Sequence, residues 1–211
     1  MILKNVFVAY TKRLLTCSLL LISISVTAIE NLPTLPAKDL IESLKSGGYI
    51  IYMRHGATDI TQKDQTREGF DDCEKQRNLS EEGRQKIQSI GAIIQQLEIP
   101  IGHVSSRPYC RTKDTAALAF GEYDIDQNLQ FSISKNKAEA QQLGSYLLSK
   151  MMASNPTDKN EVFVGHTANL KDGLGIWPKP EGVLVVFKKE EGEVVFKGMI
   201  KPEEWPFDEL L

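Results

Sequence analysis

The sequence predicts an α/β fold, a three-layer sandwich whose mostly parallel central sheet carries helices on both faces. Two patterns point to it. Segments with apolar residues three and four apart alternate with short, nearly continuous apolar runs, as helices alternate with strands covered on both sides. Several of those runs stop abruptly at arginine or histidine, and open parallel sheets hold ligands beyond the carboxyl ends of their strands. Composition agrees: of 211 residues, 41% are hydrophobic and 25% charged, which excludes long disorder and fibrous repeats.

Residues 1–28 stand apart. Lys4, Lys12 and Arg13 lead into an apolar run over 14–26, no acidic residue precedes Glu30, and Val26-Thr27-Ala28 offers small residues for cleavage. The run is shorter than the ~20 residues of a membrane span. The expectation is a cleaved signal peptide followed by a single domain over 29–211. That domain would be periplasmic or secreted, with no stable membrane insertion once the signal is removed.

The remaining elements follow in order. A Pro-containing lead-in over 31–36 precedes a helix at 37–46, with Leu40, Ile41 and Leu44 on one side and Gly47-Gly48 as its stop. Tyr49-Ile50-Ile51-Tyr52-Met53 is a strand that ends in Arg54-His55-Gly56. Residues 57–78 are polar and aperiodic, a loop long enough to be functional. Ser80 caps the next helix and Glu81 and Glu82 complement its dipole; Ile87, Ile90, Ile94 and Leu97 form its apolar stripe, and Pro100 ends it. A short strand at 103–106 leads to a helix at 108–120, with Pro108 in its first turn. A helix at 136–152 and a strand at 161–165, running into His166, come next. Strands at 183–187 and 194–199 close the chain through the charged turn Glu190-Glu191-Gly192.

Charge and cysteine usage narrow the partners. The net charge is −3, and beyond residue 28 there are 22 basic residues against 28 acidic ones, so binding to nucleic acid by bulk positive charge is excluded. An anion site must be a local basic cluster. Cys17 leaves with the signal, and the remaining pair, Cys73 and Cys110, suits one disulfide in an oxidising compartment. Such a bridge contributes roughly 4 kcal/mol in the chain-entropy account. Nothing in the sequence fixes the oligomeric state.

Three basic clusters fall at strand ends: Arg54-His55-Gly56 with Thr58, Arg107 with Arg111, and Gly165-His166-Thr167. Two of the chain's three histidines lie there. The chemistry that fits is phosphate capture and transfer. Arginine grips phosphate oxygens through two parallel charge-assisted hydrogen bonds. A neutral imidazole can accept the phosphoryl group covalently, and a second imidazole, held as a cation, can stabilise charge growing on its oxygens. His103 has no partner signal and reads as structural. Tyr109 and Trp177 could wall the site or belong to the core.

These residues carry a family resemblance. Tyr52-Met53-Arg54-His55-Gly56-Ala57-Thr58 resembles the signature of the histidine phosphatase superfamily, the phosphoglycerate mutase-like family. The stretch 106–116, with Arg111-Thr112 and Thr115-Ala116, resembles its second basic motif, and Val164-Gly165-His166-Thr167 its second histidine motif. Leu79-Ser80-Glu81-Glu82-Gly83 resembles the helix start that follows the family's first loop. The resemblance implies a phosphoglycerate mutase-like fold, His55 as the phosphate-accepting nucleophile, Arg54 and Arg111 on the phosphoryl oxygens, His166 completing the pocket and Thr58 contacting phosphate. It implies a small phosphorylated substrate and no metal or other cofactor.

The sequence departs from the family in two places. Where the family commonly has a glutamate proton donor, this chain reads Asn128-Leu129-Gln130-Phe131. Asp59, four residues after the nucleophile, is the first candidate in its place, ahead of Asp71, Asp72 and Glu122. Arg107, four residues before Arg111, either adds an anionic contact or forms a surface salt bridge. The expected function is an exported phosphatase acting through a phosphohistidine. The alternative is a non-catalytic phosphate-binding module that has lost its acid.

Overall fold

The computed structural model describes residues 34–65, 70–129 and 136–209. The segment read as a signal peptide, 1–28, and Gln130-Phe131 lie outside the described residues. One sheet joins β1 (Tyr49–Arg54), β2 (Ile101–Ser106), β3 (Asp124–Ile125), β4 (Asn160–Gly165), β5 (Leu184–Glu190) and β6 (Glu193–Ile200), in the order β3-β2-β4-β1-β5-β6. β3, β2, β4 and β1 run parallel, and β5 and β6 close one edge antiparallel. The helices are α1 (Ala37–Leu44), α2 (Glu81–Gln96), α3 (Cys110–Phe120), α4 (Lys137–Ala153) and α5 (Thr167–Leu174).

β1 shows why these runs become central strands. Ile50, Ile51, Tyr52 and Met53 are each at most 1% exposed, and successive side chains enter opposite layers. Ile51 and Met53 join Leu40, Leu44, Ile87, Ile90 and Ala116 beneath α1, α2 and α3. Ile50 and Tyr52 join Leu147, Met151, Phe163 and Leu170 beneath α4 and α5. Each fully buried aliphatic side chain contributes about 1.5–3 kcal/mol, so an apolar run with no polar alternation is stable only between two helical layers. Trp205, buried near the end of the described chain, belongs to the first of these cores.

Several element ends shift from the sequence reading. The second strand begins two residues earlier, at Ile101. The third helix begins at Cys110, with Tyr109 as its N-cap, so Pro108 precedes the helix. The loop after β1 contains a short 3₁₀ turn, Cys73–Lys75. α5 and the two-residue β3 add to the elements read from sequence. α5 lies close against α4 because Gly144 and Gly173 meet backbone to backbone, where a methyl group on either would overlap the other helix. The β5–β6 hairpin turns through Glu191 and Gly192 at φ 50° and 85°, the conformation that two-residue hairpins require.

Candidate active site

The strand order places β4 between β2 and β1, so the three basic strand ends are neighbours. Arg54 is the last residue of β1 and His55 the next. Arg107 follows β2, and Arg111 lies in the first turn of α3. His166 follows β4 and is the N-cap of α5. Spacing of about 4.8 Å between strands carries groups more than 100 residues apart in sequence into one pocket.

The two imidazoles sit edge to face, 4.9 Å between centroids. The His55 main chain is clamped on both sides: its N–H donates to Gly165 O at 3.0 Å and its carbonyl accepts from Gly182 N at 2.8 Å. Its Nδ1 lies 2.8 Å from Gly56 O. A carbonyl only accepts, so Nδ1 carries the hydrogen and Nε2 keeps its lone pair. His166 Nε2 accepts from Arg111 Nε at 2.8 Å, and Arg107 lies against Nδ1. The Tyr52 hydroxyl donates to His166 O at 2.7 Å; this contact passes over Gly165, where a side chain would collide with the tyrosine. Tyr109 walls the pocket, its ring 5.0 Å from His166.

Burial, then the charge of Arg111, holds His55 well below the usual imidazole range. Burial, then Arg107 and Arg111, does the same to His166. Burial first, and the surrounding guanidiniums second, therefore disfavour a cationic second imidazole in this pocket. The unfolded chain binds protons on both near pH 6.5, and the folded chain resists them. Stability should fall as pH drops from about 6.5 toward the folded values, by up to ~1.4 kcal/mol per pH unit for each ring. Thermal unfolding between pH 7.5 and 5 would show this. The combined His55→Asn and His166→Asn variant should lose less over that range, and equal losses would contradict the assignment.

The guanidiniums meet carboxylates that the sequence reading did not select. Arg111 binds Asp64 through both terminal nitrogens, at 2.9 and 3.3 Å, while its Nε faces His166. Arg54 binds Glu181 at 3.0 Å and the Pro178 carbonyl at 3.3 Å. Glu181 also accepts from the Thr58 N–H at 3.0 Å and lies 3.3 Å from its hydroxyl. Arg107 is 1% exposed, so it forms no surface salt bridge; it donates to Asn169 and faces His166. Burial pulls its pKa down to about 9, which keeps it charged at neutral pH.

Arg77 is a fourth guanidinium of the cluster: its charge lowers the pKa values of Arg54, His55 and Arg111. Four arginines thus face two carboxylates and two neutral imidazoles among the described residues. A disulfide joins Cys73 to Cys110, immediately before Arg111. Beside it the Cys110 N–H donates to Gln76 Oε1 at 3.0 Å.

Thus the fold gathers His55, His166, Arg54, Arg111, Arg107 and Thr58. The Asp59 carboxylate closes a local turn on Thr61 and Gln62. Asp72 caps the 3₁₀ turn and pairs with Lys75, while Asp71 and Glu122 are exposed. His103 stands on β2, bonded to Ser105 and paired with Asp124. The density of charge in 57–78 was the only signal for Asp64 and Arg77. Glu181 had none beyond its place before a strand.

No family model matches the chain, and no curated protein matches it by sequence. Solved structures do. Phosphoserine phosphatase from Entamoeba histolytica, as a variant bound to phosphoserine, is 15% identical, with 74% of this chain and 98% of that one covered at a TM-score of 0.55. The same enzyme with 3-phosphoglyceric acid is 17% identical, covering 72% and 95% at 0.54. The alpha-ribazole phosphatase of Shigella flexneri is 11% identical, covering 73% and 96% at 0.53. At these identities the likeness is one of fold, and the fold is phosphoglycerate mutase-like.

Proposed function

We propose that this chain is an exported phosphatase that hydrolyses a small phosphorylated molecule, a phosphorylated sugar among the candidates, through a phosphohistidine at His55. One observation carries the reading. Two imidazoles lie 4.9 Å apart, with Arg111 and Arg107 against His166 and the charges of Arg111 and Arg54 acting on a neutral His55. Structures of similar fold hold phosphoserine and 3-phosphoglyceric acid, which supports a small phosphorylated substrate. The amino-terminal sequence and the disulfide support an exported protein.

In the first step His55 Nε2 attacks phosphorus and the bond to the leaving oxygen breaks. Arg54 and Arg111 take up the charge on the phosphoryl oxygens, with Arg111 oriented by its bond to His166 Nε2. The leaving oxygen needs a proton, and Glu181 is its donor. In the second step water attacks the phosphohistidine, giving phosphate and free imidazole. Glu181 takes back the proton that water loses.

The test is to trap the intermediate. Mixing enzyme with an aryl phosphate and quenching in alkali should leave a phosphoryl group on His55, located by mass spectrometry of peptides. Turnover with no label on His55 would rule out this route. Arg111→Lys keeps the charge but loses both the fork to Asp64 and the Nε contact, so phosphate affinity by calorimetry should fall tenfold or more. Unchanged affinity would place Arg111 outside the binding machinery.

A further inference from the structure

Arg77 lies on no strand end and in no recognised motif, yet its main chain is fixed to the pocket at both ends of the residue. Its N–H donates to Asp64 Oδ1 at 2.9 Å, and its carbonyl accepts from Arg111 Nη1 at 3.0 Å. Its Nε is buried and makes no hydrogen bond. A guanidinium nitrogen left so among like charges is costly unless an anion arrives to meet it.

Polar contacts and one covalent link, rather than apolar burial, hold the segment that carries this residue. Across the described residues of 59–78, only Gln76 is buried, so apolar contact contributes little. Cys73 is bonded to Cys110, and Gln76, next to Arg77, is bonded to the Cys110 N–H. Cys110 in turn precedes Arg111. The disulfide therefore ties the segment bearing Arg77 to the helix turn bearing Arg111. Cys73 is exposed, where a reductant can reach the bond.

We infer that Arg77 is a phosphate-binding residue of this pocket, specific for the dianion, and that the Cys73–Cys110 disulfide holds it there. The inference rests on the phosphatase reading and adds a binding group together with a redox dependence of affinity. The oxidised protein binds a phosphate dianion with four guanidiniums around it. In the reduced protein the segment is released and Arg77 withdraws, leaving Arg54, Arg107 and Arg111.

Inorganic phosphate is the probe, measured by calorimetry above and below its second ionisation. The oxidised wild type should bind the dianion at least tenfold more tightly than Arg77→Gln does, and the variant should lose most of the preference for dianion over monoanion. A merely structural arginine would not change that preference. Reduction with a thiol, or Cys73→Ser, should weaken the wild type by a similar factor and leave Arg77→Gln almost unchanged. Thermal unfolding of each protein confirms that the comparison is between folded molecules, and Arg77→Lys, which keeps the charge, should fall between the two. Equal dianion affinity in wild type and Arg77→Gln overturns the role of Arg77. Reduction that weakens wild type and Arg77→Gln alike overturns the link to the disulfide. If the oxidised wild type binds no phosphate, the pocket reading itself falls, which separates that failure from the other two.

Discussion

His55→Ala should eliminate hydrolysis of an activated aryl phosphate, lowering kcat by about 10⁴-fold or more while the protein still binds phosphate. The aryl leaving group needs little protonation, so this assay isolates the nucleophile from the acid. The effect is large because nothing replaces Nε2: its lone pair is freed by the bond from Nδ1 to Gly56 O, and its ring is kept neutral by burial and by Arg111. The same neutrality implies that kcat/KM shows no acidic limb at the ordinary imidazole value, and that the decline begins well below pH 6.5. Imidazole added to His55→Gly should restore part of the rate by occupying the vacated space. Wild type and His55→Ala hydrolysing at equal rates would leave a phosphate-binding module in place of an enzyme.

The parts of this molecule that were legible in the sequence are those whose signal is local. Tyr49-Ile50-Ile51-Tyr52-Met53 reads as a doubly covered strand because every residue of it is buried. Arg54, His55 and His166 were identifiable because an apolar run that stops at such residues marks a strand's carboxyl end. The helix α5 is only eight residues long, and its approach to α4 is made at glycines, Gly144 and Gly173, which add nothing to its apolar pattern. Asp64, Arg77 and Glu181 were missed. Each lies in a polar segment and acquires its role from a partner distant in sequence: Arg111 for the first two, Arg54 for the third. Asp59 is near His55 along the chain, but its carboxylate is engaged in the turn it closes on Thr61.

Glu181→Gln should separate substrates by their leaving groups. A positioned general acid contributes typically 10²–10⁴-fold when the leaving oxygen is basic and little when it is not. Hydrolysis of a sugar or alkyl phosphate should therefore fall by about 10²-fold or more, and hydrolysis of p-nitrophenyl phosphate by less than about tenfold. Glutamine keeps the side-chain length and one acceptor oxygen, but the two contacts at 3.0 Å use different carboxylate oxygens, Oε1 for Arg54 and Oε2 for the Thr58 N–H, so one of them is lost. The variant removes the proton together with one positioning contact, and the dependence on leaving group tells the two losses apart. If Glu181 only orients Arg54, both substrates should lose rate by the same factor, and KM should rise with the weakened grip on phosphate. A parallel loss would return the proton donor to water and confine the enzyme to substrates whose leaving groups depart unaided, such as acyl phosphates and phosphoanhydrides. A loss confined to basic leaving groups would place the carboxylate on the leaving-group side of the bound phosphate. It would also explain how a chain with no acid in the usual stretch near Asn128 completes the reaction.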